Sequence, residues 1–283
     1  MALASCNSPK SAGENPFFTQ WDTPFGVPPF DKIRAEHFMP AFERGMSLHD
    51  AEIDAITSNN DEPTFENTIL AYDNAGQMLA QTELIFGMLC AAETNERMQA
   101  LQEQVMPLLS AHRDKIRLDE KLFARVKDVY DRRASLGLDA EQSRLLRKTY
   151  DAFVRSGALL DAGQKARLKE INGELSLTAV KFGNNILAEN NNFALELTAD
   201  DLEGLPSGVR DAAREKAQAM GKGDKWVFTL HKPSLIPFLT YSAKRDLREK
   251  IYKAYLNRCN NGDQYDNKPV SYTHLTLPTT SRV

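Results

Sequence analysis

Apolar residues recur at three- and four-residue steps through most of this chain, the period that places them on one face of an α-helix. Phe42, Met46, Ile53 and Ile56 fit that spacing loosely. Pro40 suits a first helical turn, so a helix is expected over residues 40–56, after a short turn from Asp31 through His37. Residues 59–63 break the pattern. Thr64 and Glu66 then open a helix carrying Phe65, Ile69, Tyr72, Gly76 and Leu79, which extends to about residue 92. Thr94 or Asn95 caps the next, to about residue 116, with Pro107 inside it as a kink. Asp119 caps another, with Leu122, Val126, Val129 and Arg133 on one side and Gly137 as its stop. Residues 139–156 turn Leu145, Leu146, Tyr150 and Phe153 inward. A long helix follows over 161–189, on a stripe of Leu168, Ile171, Leu175, Phe182 and Ile186, and three asparagines at 190–192 end it.

The period then changes. Residues 193–197 (FALEL) and 226–230 (WVFTL) alternate apolar and polar, as half-buried strands do, and predict a small two-stranded ribbon. A helix over 211–220 and a turn at 221–224 lie between them. A last helix covers 244–257, with Leu247, Ile251, Ala254 and Tyr255 inward. Near the other end, residues 15–30 (NPFFTQWDTPFGVPPF) are too rich in proline for helix, and predict an extended arm with its aromatics buried. The fold class is mainly α.

Composition narrows the possibilities. A net charge of −4 leaves no sequence-wide basic footprint for nucleic acid. No apolar run approaches the 18 or more residues of a membrane-spanning helix. Three cysteines make no disulfide framework, and no CxxC occurs. Cys90, in an apolar helical stretch, is expected to be a core residue, and Cys259 has no visible partner.

The termini carry their own signals. Leu3-Ala4-Ser5-Cys6 resembles a bacterial lipobox, and the small polar residues after it suit a tether. Cys6 is therefore the expected lipidation site, residues 1–14 a clipped signal remnant and tether, and the bacterial cell envelope the location. Without a real lipobox the expectation is cytoplasmic. Val270 to Thr279 matches, residue for residue, the translation of what looks like a transposase-derived sequencing adapter. Residues 270–283 are expected to be read-through, with function carried by later residues missing.

Few residues are spaced for chemistry. His37, His49, His112 and His231 show neither the four-residue step of an HExxH helix nor a Cys/His cluster. No catalytic and no metal residue is assigned. His112 and Arg113 read as a solvated helix face, His231 as a surface or capping residue, His37 as structural. Gly221-Lys222-Gly223-Asp224 lacks the glycines of a dinucleotide site and the Gly-Lys-Ser/Thr of a P-loop, and reads as a tight turn. Arg113, Lys115, Arg117, Arg132 and Arg133 alternate with acids and read as solvated.

Longer blocks are more informative. Residues 29–46 (PFDKIRAEHFMPAFERGM), 63–76 (PTFENTILAYDNAG), 122–138 (LFARVKDVYDRRASLGL), 144–160, 182–206 and 226–255 resemble, in order, the N-terminal region of the M3 (thimet oligopeptidase-like) zinc metallopeptidases. The resemblance covers residues 15–269, and the 122–138 block looks most like the peptidyl-dipeptidase branch. It implies a helical lobe beside a deep channel that admits short peptides, with release of C-terminal dipeptides. It also implies zinc on an HExxH helix in the second half of the full-length parent. No position here matches that motif, so the fragment itself is expected to be inactive and free of zinc; separately, a monomer is expected. The alternative is a stand-alone helical binding or scaffold module.

Overall fold

The computed structural model describes residues 15–268, which divide between Leu177 and Thr178 into two compact units. The architecture is mainly α with one two-stranded ribbon.

The first unit opens with the aromatic arm. It forms two 3-10 turns, Pro16–Phe18 and Pro24–Gly26. Asn15 pins it: its side chain accepts from the Phe17 N–H at 3.1 Å and donates to the His37 carbonyl at 2.8 Å. Phe17 is buried on Phe38, but Phe25 and Phe30 are exposed, contrary to the expected burial of all the arm's aromatics. The Pro24–Gly26 turn holds Phe25 at its tip, at φ 60°.

Helix α1 (Ala35–Thr57) starts earlier than Pro40 suggested. His37 Nδ1 accepts the Arg34 N–H at 3.0 Å and closes the first turn. Phe38, Ala41 and Phe42, all fully buried, lie around the proline. Their burial outweighs the hydrogen bond Pro40 cannot donate.

The expected helix over 64–92 is interrupted. Phe65–Leu70 is a π-helical turn, α2 (Ala71–Asn74) is short, and α3 (Gln77–Ala92) begins only after Ala75 extends and Gly76 takes φ 75°. Glycine adopts that conformation without steric cost. Glu52 Oε2 accepts the Gly76 N–H at 2.7 Å, and the His49 ring leaves no space for a Cβ there.

Helix α4 (Glu96–Arg117) carries its expected Asn95 cap, with 3.0 Å to the Met98 N–H, and Pro107 within it. Helix α5 (Glu120–Asp131) has its Asp119 cap, but ends well before Gly137 in a 3-10 turn. Arg132 explains the early end: its guanidinium holds the Pro63 carbonyl, Glu62 and Asp128, all at 2.5–2.6 Å. Helix α6 (Ala140–Arg155) opens on a reciprocal Asp139–Gln142 capping box. Two clusters make this unit's core. Phe17, Phe38, Phe42 and Phe86 lead one; Phe65, Ile69, Leu122, Val126, Leu146 and Phe153 lead the other. Cys90 packs, partly buried, against the first.

Helix α7 (Ala162–Asn192) runs through all three asparagines instead of stopping before them. Tertiary bonds hold its end: Asn190 accepts from Arg258 at 3.0 Å, and Glu189 accepts from the Cys259 N–H and from Asn261. Of the expected stripe, Leu168, Ile171, Leu175 and Ile186 are half-buried. Phe182 is exposed, whereas Val180 and Asn185 are buried. The Asn185 amide donates to Asn267 at 2.8 Å, so a polar loop rather than apolar packing chooses the inward face there. The same surroundings push the Cys259 thiol up to about 11, by burial and then by Glu189.

In the second unit, β1 (Leu195–Leu197) and β2 (Trp226–Phe228) pair antiparallel, Leu195 opposite Phe228 and Leu197 opposite Trp226. Both are shorter than their five-residue patterns. Helix α8 (Ser207–Ala219) and a turn with Gly221 and Gly223 at positive φ connect them. Helix α9 (Lys232–Tyr241) was not expected, because Pro233 and Pro237 obscure a period that Leu235 and Phe238 nonetheless keep. Ser234 Oγ accepts the Thr229 N–H at 3.0 Å and seats its first turn. Helix α10 (Arg245–Leu256) completes the core with buried Ile251.

Candidate functional site

His49 and Asp50 of α1, Glu83 of α3, and His112, Arg113 and Lys115 of α4 gather in the first unit. His112 is not on a solvated face. It is buried, and its Nε2 lies 3.1 Å from Nδ1 of half-buried His49. The reason is periodic: Val105, Leu109, His112 and Ile116 step by four, three and four residues along the inward stripe of α4, all buried. Arg113 next to it is exposed, as expected, and pairs with Glu83 at 2.9 Å.

Asp50 completes the group. One carboxylate oxygen lies 3.7 Å from Nδ1 of His112, and the other binds Lys115 Nζ at 2.8 Å. Burial holds both imidazoles below their ordinary pKa. For His49, the neighbouring His112 adds to that effect; for His112, Asp50 opposes it. A base depressed in this way binds fewer protons folded than unfolded, so stability falls as pH drops through the ordinary imidazole pKa of about 6.5.

Of the basic residues read as solvated, Lys115 and Arg133 are exposed like Arg113, whereas Arg117 and Arg132 are half-buried. Arg117 lies over the Phe153 and Tyr72 rings at 5.4 and 5.7 Å. Arg125 donates to the carbonyls of Asn59 and Asp61 and to the Asn67 side chain, fixing the loop before the π-helical turn. A cleft of about 450 Å³ lies there, lined by Glu52, Asn59, Asn67 and Asn74 among others. The Asn67 amide is already committed to Thr64, Glu62 and Arg125, so it serves the fold rather than a ligand. His231 is exposed at the N-cap position of α9, and His37 closes the first turn of α1, as read from the sequence.

Among the described residues, no three His, Cys, Asp or Glu side chains are placed to hold a metal ion. The histidine pair does not fit zinc: its two facing nitrogens stand in hydrogen-bond contact, and the nearby Asp50 oxygen addresses the opposite side of the His112 ring. No described helix is long and apolar enough to cross a membrane. Cys6 and the adapter-like residues 270–283 lie outside the described residues.

No family model matches the chain. Individual proteins do. It is 36% identical over 257 residues to the dipeptidyl carboxypeptidase of Escherichia coli (strain K12), covering 90% of this chain and 38% of that protein. The corresponding protein of Salmonella typhimurium is 35% identical over 259 residues, with the same coverage. Oligopeptidase A of Salmonella typhimurium is 26% identical over 260 residues. A helical chain with this likeness along nine-tenths of its length is a homologue of the M3, thimet oligopeptidase-like peptidases. Within that family, the dipeptidyl carboxypeptidases named here share more of its residues than oligopeptidase A does. The chain spans 38% of the length of these relatives.

Proposed function

We propose that this chain is the N-terminal part of a zinc metallopeptidase that takes short peptides and releases dipeptides from their C-terminal ends. The supporting observation is its identity to a dipeptidyl carboxypeptidase, 36% against 26% for oligopeptidase A over similar spans. The zinc chemistry, on this reading, belongs to an HExxH-bearing segment outside the present sequence, and the protein acts as a monomer. The chain alone, supplied with zinc, is expected to release no dipeptide from a tetrapeptide blocked at its N-terminus and free at its C-terminus, whereas the open reading frame continued past residue 269 is expected to do so. Zinc-dependent release by the chain alone overturns this. So does a stop codon directly after residue 269 in the source DNA, which returns the helical scaffold reading.

We further propose Cys6 as a lipid attachment site in the bacterial envelope, supported by Leu3-Ala4-Ser5-Cys6 and the polar residues that follow. Expressed in a bacterium with its own upstream leader, the protein should incorporate a palmitate analogue, and Cys6→Ser should abolish the label. An unlabelled wild-type protein removes the anchor and leaves a cytoplasmic location.

A further inference from the structure

We propose that Asp50, His112 and His49 form a one-proton relay that ties α1 to α4 and breaks on taking up a second proton. The geometry orders the hydrogens. Each neutral imidazole carries one N–H. Asp50 Oδ1, buried and without a hydrogen-bond partner, stands 3.7 Å from Nδ1 of His112, beyond hydrogen-bond length, and its charge favours the His112 proton on that nitrogen. Nε2 of His112 is then an acceptor, so His49 must donate to it from Nδ1 across the 3.1 Å contact. Nε2 of His49 is left bare.

A first proton adds at that bare nitrogen and breaks no hydrogen bond. A second can bind only Nε2 of His112, which would set two N–H groups and two positive charges face to face. The charges of Asp50, Glu52 and Glu83 favour protons on the rings, but burial outweighs them, and each carboxylate already has a partner. Glu52 on α1 is committed to the Gly76 N–H, Glu83 on α3 to Arg113, and Lys115 on α4 to Asp50. The Gly76 Cα packs so closely on the His49 ring that a Cβ there would lie 2.8 Å from Nδ1, which blocks a swing in that direction. The strain of the second proton therefore falls on the α1–α4 contact itself. Burial, which disfavours charge on both rings, works in the same direction. The relay does not depend on the peptidase reading.

A nitrogen-15 NMR titration of the full chain from pH 8 to 5 tests it. At pH 8 both rings should carry the proton on Nδ1. His49 Nε2 should titrate first. The second protonation should coincide with a loss of about tenfold or more in amide exchange protection in α1 and α4. His49→Phe should leave that protection independent of pH over the range. If this variant fails to fold, the wild-type titration decides alone. A proton on Nε2 of His112 at pH 8, or double protonation of both rings with protection unchanged, overturns the proposal.

Discussion

Phe38→Ala is expected to destabilise the first unit by about 3–5 kcal/mol, the range for emptying a fully buried phenylalanine site. Phe38 has no exposed surface. Its ring centroid lies 5.0 Å from Phe86, 5.2 Å from Phe17 and 6.4 Å from Phe42. Tilted and edge-on aromatic contacts of this kind add to simple burial. Phe38 also joins two parts of the unit that the chain separates, because Phe17 belongs to the arm and Phe86 to α3. The cavity would therefore loosen the arm as well as the helices. Urea unfolding followed by circular dichroism measures the loss, and limited proteolysis at residues 15–30 reports the arm. Phe25→Ala is the control: its side chain is exposed, and the change should stay within about 0.5 kcal/mol. Equal losses in the two variants would show that the aromatic cluster does not hold the unit together.

Gly204→Ala should cost the second unit about 2–5 kcal/mol, from two sources. Gly204 sits at φ 83°, where an alanine side chain is strained. A Cβ there would also overlap the Tyr241 carbonyl and lie 3.0 Å from the Ala243 nitrogen. Neither neighbour is a flexible side-chain end, so the backbone at the end of α9 must shift. That shift breaks a specific bond, the Ala243 N–H to the Glu203 carbonyl at 2.9 Å. Faster amide exchange at Ala243 is the local sign. Gly221→Ala isolates the first source, since φ there is 66° but no atom lies near its Cβ position. It should cost about 1–2 kcal/mol. If Gly204→Ala costs no more than Gly221→Ala, the close approach of two backbones is not what demands glycine at 204.

The bodies of most helices, though not of α9, and the caps Asn95 and Asp119 could be read directly. Asn95, Asp119 and Asp139 each satisfy an N–H of the helix they begin, three residues further on. The β ribbon was equally legible, because alternation survives even in strands of three residues. Family likeness was legible too, since it resides in the order of residues itself, and the comparison with dipeptidyl carboxypeptidases agrees with it.

The candidate site was the poorly legible part. His49 and His112 are 63 positions apart, and no spacing rule links them. The inward stripe of α4 could have marked His112 as buried, but nothing in the order of residues says which histidine it meets. The same holds for Glu52 at Gly76, 24 positions away, and Arg132 at Pro63, 69 positions away. Local order settled what each segment prefers, because caps, periods and proline act within a turn or two of the chain. Helix interruptions, the true inward face of α7 and the imidazole pair came from packing, because there a single distant side chain supplies or removes the hydrogen bond that tips a locally balanced choice.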